Sequence, residues 1–174
     1  MFEIQGRVLP QVEELGKASA FLPQTQAVMG RDSVFSRISL EETGYLAELM
    51  SCYRAPAGTL LIREGEASGF LVFVIEGVIE IRKQNHEGRK AVLACIGPGS
   101  TLGEMSLLDA QPRSADCVVM EPTTFAVLDR SIMDLLIRHN PALVNKILTQ
   151  IILILSERLR QLSDILSETL QAQA

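Results

Sequence analysis

Histidine occurs twice and cysteine three times in this chain of 174 residues. Cys52, Cys95 and Cys117 are odd in number, widely spaced and without a Cys-x-x-Cys pair. That excludes a disulfide framework and fits a reduced cytoplasmic protein with small thiols in its core. His86, in a predicted hairpin turn, and His139, at a predicted helix end, lie outside ligand spacing of each other, so no resident metal is expected. A Gly-x-Ser-x-Gly elbow and a Cys/His pair are also missing, and the chain is not expected to be an enzyme. Apolar stretches such as Phe70–Ile75 and Ile151–Leu155 are far shorter than the roughly 18 residues a membrane span needs, so no membrane partner is expected. The opening Met-Phe-Glu-Ile-Gln has neither the basic nor the apolar region of a secretory leader.

A basic stripe is lacking too. The net charge is −5, all of it from residues 41–80, where seven acids face two bases. Nothing there supplies the phosphate-neutralising term on which DNA affinity rests, so direct DNA binding is not expected. What the chain does have is apolar content, 47% against 21% charged, which excludes disorder. Its length suits one domain that buries about 70% of its unfolded surface without a staple.

Residues 1–33 are rich in breakers (Gly6, Pro10, Gly16, Pro23, Gly30) and read as an irregular arm of unknown role with one short helix over Val12–Phe21. Ser39 and Glu42 form a capping-box pattern ahead of the stripe Leu46, Leu49, Met50, which predicts a helix to Tyr53 stopped by Pro56 and Gly58. Six β-type runs follow: Thr59–Arg63, Phe70–Ile75, Val78–Lys83, Lys90–Ile96, Ala115–Met120 and Thr123–Leu128. Strand after strand without intervening helices predicts a mainly β, α+β fold: an antiparallel β-roll or jelly-roll-like barrel flanked by helices. Ser131–His139 reads as a short helix. Asn140-Pro141 then supplies a cap and a first-turn proline for a long C-terminal helix. The division expected is an arm over 1–33, a roll with flanking helices over 34–140, and the long helix over 141–174.

On that helix Leu148, Ile152, Leu155, Leu159, Leu162 and Leu166 recur at spacings of 4, 3, 4, 3 and 4, an a/d seam. Ile147, Ile151 and Ile154 are apolar as well, so the first half has two faces to bury. One face on the roll and one on a partner helix accounts for both, and a homodimer through this helix is expected.

The stretch Gly103-Glu104-Met105-Ser106-Leu107-Leu108, four residues, then Arg113-Ser114-Ala115 carries the chemistry. A helical turn opening near Gly103 would point free backbone N–H groups at an anion. Arg113 is a planar charged fork suited to phosphate oxygens. Ser114 adds a hydroxyl donor, and Ala115 is small enough for close approach. Glu104 would repel a phosphate, so it suits a pair of sugar hydroxyls. Paired with Asp116 or Glu104, Arg113 could instead be a surface arginine.

This order of residues resembles the phosphate-binding cassette of the cyclic nucleotide-binding domain family, in its catabolite activator-like branch. Leu61-Ile62-Arg63-Glu64-Gly65-Glu66, then Leu71-Val72-Phe73-Val74 and Gly77, resembles the family's roll signature. It departs at Ser68, where Gly, Ala or Cys is usual, which bears on the turn alone. The resemblance implies that Glu104 accepts from the ribose 2′-hydroxyl with the Gly103 and Met105 backbone nearby. Arg113, the Ser114 hydroxyl and the Ala115 amide would hold the exocyclic phosphate oxygens, and Leu93, Ile96 and Leu102 would wall the base. The positions that read adenine in the activator fall at Arg158 and Leu159, leaving Ile154, Leu155 and Arg158 as candidate lid residues.

The expected function is therefore a stand-alone sensor of cAMP, with cGMP second because serine rather than threonine follows Arg113. It would act on an unidentified effector protein. With fewer than about ten residues after Leu166 and no basic cluster among them, the family's DNA-reading module is not expected. The alternative is an adaptor dimer whose pocket holds no ligand or a cyclic dinucleotide.

Overall fold

The computed structural model describes residues 2–4, 7–30, 33–85 and 88–172; His86, and with it the expected hairpin-turn position, lies outside them. Strands β1 (Phe2–Ile4) and β2 (Arg7–Leu9) form a small antiparallel hairpin. They are followed by β3 (Glu13–Lys17), a 3-10 turn over Ala18–Phe21, and α1 (Leu22–Val28). Next come α2 (Leu40–Leu49), β4 (Ser51–Ala55), β5 (Leu60–Ile62), β6 (Phe70–Glu76), β7 (Ile79–Gln84) and β8 (Lys90–Ile96). The chain continues through β9 (Thr101–Leu102), α3 (Glu104–Asp109), β10 (Asp116–Val119), β11 (Thr123–Asp129), α4 (Arg130–His139) and α5 (Pro141–Ala172).

The larger strands make two antiparallel sheets, one ordered β5-β10-β7-β8 and the other β3-β4-β11-β6-β9. The mainly antiparallel β-roll with flanking helices and a long C-terminal helix is thus the observed architecture. Strand β6 shows why its sequence is an unbroken apolar run. Phe70, Val72 and Val74 enter the core between the sheets, whereas Leu71, Phe73 and Ile75 enter a second core under the helices. A strand buried on both faces has no polar side to alternate with. Strand β11 divides the same way, with Phe125 and Val127 between the sheets and Ala126 and Leu128 under the helices.

Two expectations about local structure are corrected. Val12–Phe21 is not a helix. Val12 is buried between the sheets, and β3 pairs with β4 from Glu13 opposite Arg54 to Lys17 opposite Ser51. The pairing tolerates a bulge at Gly16, where φ is +95°. The real helix begins at Leu22, with Pro23 in the first turn, where a missing N–H costs nothing. The helix after Ser39 also stops early. Its capping box is present as expected, yet Met50 is extended and residues 51–55 are strand β4, paired on both sides. Leu46, Leu49, Met50 and Tyr53 fit a helical stripe, Met50 and Cys52 alternate as in a strand, and the two neighbouring strands decide it.

Helix α5 opens as the sequence indicates, with the Asn140 side chain accepting from the Leu143 backbone N–H at 3.2 Å. Leu143, Val144, Ile147 and Ile151 are buried in the helix-side core, and Lys146 binds Glu42 of α2 at 2.7 Å. Leu148 and Leu155 pack partly on that core, whereas Ile152, Leu159 and Leu162 of the same seam are 60–65% exposed. The side chain of Leu166 lies outside the described ones. No helix among the described residues is long and apolar enough to cross a membrane.

Candidate functional site

Helix α3 packs against β6, and the base of α3 carries the first functional residue. Gly103 caps the helix at φ +83°. A Cβ there would stand 2.3 Å from Nη1 of Arg113 and 2.6 Å from the Phe70 carbonyl oxygen. Backbone conformation and crowding both require glycine.

The crowding comes from Arg113, which is 4% exposed. Its Nε donates to Ser68 Oγ at 2.7 Å, Nη1 to the Gly103 carbonyl at 2.9 Å and Nη2 to the Phe70 carbonyl at 2.8 Å. Its guanidinium carbon lies 4.2 Å from the centre of the Phe70 ring. Burial pulls its pKa down to about 10, opposed in part by the charges of Glu104 and Glu66, so it stays charged at neutral pH. The backbone of Arg113 is pinned as well, its N–H on the Glu66 carbonyl and its carbonyl on the Gly65 N–H. Neither alternative partner raised by the sequence is used in an ion pair with it. Asp116 holds Lys90 and the Glu64 backbone N–H, and Glu104 holds Arg158. Ser68 therefore does more than shape a turn, because its hydroxyl fixes the arginine.

The lid candidates Ile154 and Leu155 aside, nine of the ten residues given a binding role from the sequence line one cavity of about 190 Å³, partly open to solvent. Leu102, Gly103, Glu104 and Met105 line it together with Arg113, Ser114 and Ala115. Leu93 of β8 and Arg158 of α5 complete these nine. Ile96 is the exception: it packs half-buried against the inter-sheet core instead of the cavity wall. Ile154 and Leu155 are not on the wall either: they pack, partly buried, on the helix-side core within one turn of Arg158.

Five further wall residues were given no site role from the sequence: Ser106, inside the cassette stretch itself, and the strand residues Ile62, Ile81, Lys83 and Cys117. The strand residues arrive by cross-strand pairing of β5, β7 and β10, a register that no local pattern shows. The Cys117 thiol is pushed up to about 12 by burial, despite the charge of Arg113, so it stays protonated at neutral pH. Glu104 is almost fully buried and forms an ion pair with Arg158, whose Nη2 also reaches the Thr101 carbonyl at 3.2 Å. Among the described residues, no three His, Cys, Asp or Glu side chains converge as a metal set.

The cavity thus joins a buried fixed cation, a buried acid and an apolar wall of Ile62, Ile81 and Leu102, a combination that suits an anionic group, a hydroxyl pair and a flat apolar ring on one ligand. A family model described as the cyclic nucleotide-binding domain matches residues 53–140, half of the chain. The chain belongs to the cyclic nucleotide-binding domain family. Among solved structures, a cyclic nucleotide-binding domain from Methylobacillus flagellatus KT is 32% identical, with a TM-score of 0.84 over 92% of this chain and 90% of that one. The catabolite activator protein of Thermus thermophilus is 29% identical, with a TM-score of 0.70 over 79% of this chain and 62% of that one. Among curated proteins, the CRP-like cAMP-activated global transcriptional regulator of Mycobacterium tuberculosis is 24% identical over 81% of this chain. The cyclic AMP receptor protein of Thermus thermophilus is 33% identical over 61% of it. The matched parts span 61% and 47% of those two relatives.

Proposed function

We propose that this cyclic nucleotide-binding domain is a non-enzymatic sensor that takes cAMP, and cGMP less well, in the cavity beside α3. It passes the signal through α5 to an effector protein. One observation carries the reading: Gly103 and Glu104 at the start of α3, and Arg113, Ser114 and Ala115 just before β10, face the same cavity as Arg158 of α5. Arg113, the Ser114 hydroxyl and the Ala115 amide hold the phosphate, Glu104 and the Gly103–Met105 backbone hold the ribose, and Leu93 and Leu102 cover the base. Two relatives, a cAMP-activated regulator and a cyclic AMP receptor, favour cAMP, as does the serine at 114.

In this reading residues 34–140 are the sensing roll and 141–174 the lid and dimerisation helix. A second copy covers the seam at Ile152, Leu159 and Leu162. The cytoplasm, where Cys52, Cys95 and Cys117 stay as thiols, is the proposed location. The adaptor reading draws on one specific fact: Arg113 and Glu104 already have protein partners. Isothermal titration with cAMP, cGMP and cyclic di-GMP separates the possibilities. The sensor reading expects saturable heat with cAMP at one site per chain, weaker heat with cGMP and none with cyclic di-GMP. Silence with all three favours the adaptor.

A further inference from the structure

Arg113 is a poor match for the whole work of holding a phosphate. A guanidinium offers five N–H donors, and here three of them end on Ser68, Gly103 and Phe70. The group is also immobile, wedged against Gly103 and the Phe70 ring. It sets a positive potential at that end of the cavity but has few donors left to turn towards a ligand.

Lys83 has the opposite properties. It sits in β7, one step beyond the Arg82–Asp116 pairing with β10, so its side chain crosses to the cassette. Its ammonium donates to the Ser114 carbonyl at 2.7 Å, lies 3.6 Å from Glu64 and lines the same cavity as Arg113 and Ser114. Half of its side-chain surface is exposed, and an ammonium on a four-carbon stem turns its three donors freely. Compensation by Glu64 is loose at that distance and shared, because Glu64 also accepts from the Gln84 backbone N–H at 3.0 Å.

We infer that Lys83 is a second phosphate-binding cation of this site, swinging from the Ser114 carbonyl onto an exocyclic phosphate oxygen of the bound cyclic nucleotide. The division of labour is physical: Arg113 supplies a fixed buried charge, and Lys83 supplies the mobile donors. This inference rests on the reading of the cavity as a cyclic nucleotide site and adds a residue to it.

The test titrates cAMP into the wild-type chain, Lys83→Gln, Lys83→Arg and Arg113→Ala over a series of salt concentrations, with circular dichroism to verify folding. Lys83→Gln should bind about tenfold more weakly. Its affinity should also fall less steeply with salt, because one phosphate contact fewer is screened. Lys83→Arg should restore both the affinity and the salt slope. An unchanged affinity in Lys83→Gln, beside a collapse in Arg113→Ala, overturns the role of Lys83 and leaves the cavity reading standing. A loss in Lys83→Gln that is identical at every salt concentration overturns it too, because only a structural role behaves so. No cAMP binding by the wild type overturns both.

Discussion

Arg158 and Glu104, 54 residues apart, form an ion pair that ties the long helix α5 to the first residue of α3. Arg158 is partly exposed, whereas Glu104 is 4% exposed at its side chain. The acid expected to meet the ribose is therefore also the point where α5 grips the roll. A ligand that claims one carboxylate oxygen alters the partner of Arg158, and through it one rigid helix. That is the differential contact a two-state switch requires.

Removing the arginine should expose the cost of an unpaired buried acid. Arg158→Ala is expected to lower unfolding free energy by about 1–2 kcal/mol, below the figure for a fully buried pair because Arg158 is partly in solvent. Glu104→Gln with Arg158→Ala should cost less than the two single changes added together. Urea denaturation of the four proteins measures that coupling. Additive losses would mean that the pair does not hold the helix.

Gly103→Ala attacks the same corner by sterics. A methyl group at φ +83°, 2.3 Å from Arg113 Nη1, must displace either the guanidinium or the Phe70 strand. The expected loss is about 1–3 kcal/mol of stability, with cAMP affinity falling alongside. Thermal unfolding and titration read the two effects, and a protein with wild-type values for both would refute the crowding argument.

The exposed half of the seam predicts assembly. Ile152, Leu159 and Leu162 are apolar, largely uncovered and on one stripe of α5. Leu159→Glu with Leu162→Glu leaves the helix-side core untouched, which a change at the half-buried Leu155 would not. Sedimentation should report a dimer for the wild type and a monomer for the double variant. A monomeric wild type at micromolar concentration defeats the dimer and leaves the pocket intact.

Acid sensitivity should pass through Asp116. Burial would raise its carboxyl, but Lys90 at its side chain and the Glu64 backbone N–H outweigh burial and hold it below its ordinary value. A carboxyl depressed in the folded state stabilises the protein above its unfolded pKa, and that contribution is lost as pH falls through the folded value. Melting temperature should therefore fall below about pH 4 in the wild type. Asp116→Asn should start lower and show a shallower fall over the same range.

The cassette was legible because its chemistry is contiguous: Gly103-Glu104 and Arg113-Ser114-Ala115 lie within 13 residues of one another. Strand β6 and the opening of α5 were legible because local pattern and burial agree. Strand β4 was not, since Met50 and Tyr53 continue the helical stripe of Leu46 and Leu49 until β3 and β11 flank residues 51–55. Lys83 and Ser68 reach the cassette across strands and turns 31 and 45 residues away, and no local period encodes such a contact. Ile96 had the right composition for a base wall, but β8 turns it towards the inter-sheet core.

The central claim is that Arg113 and its neighbours bind a cyclic nucleotide, and calorimetric titration of cAMP into the wild type and Arg113→Ala tests it most directly. Arg113→Ala removes the three side-chain bonds to Ser68, Gly103 and Phe70, so some loss of stability is expected, about 1–3 kcal/mol. Titration should therefore be done at a temperature where circular dichroism shows the variant folded. The account predicts one cAMP per wild-type chain and an affinity at least about 100-fold weaker in the folded variant. Equal affinity in the two proteins would contradict it.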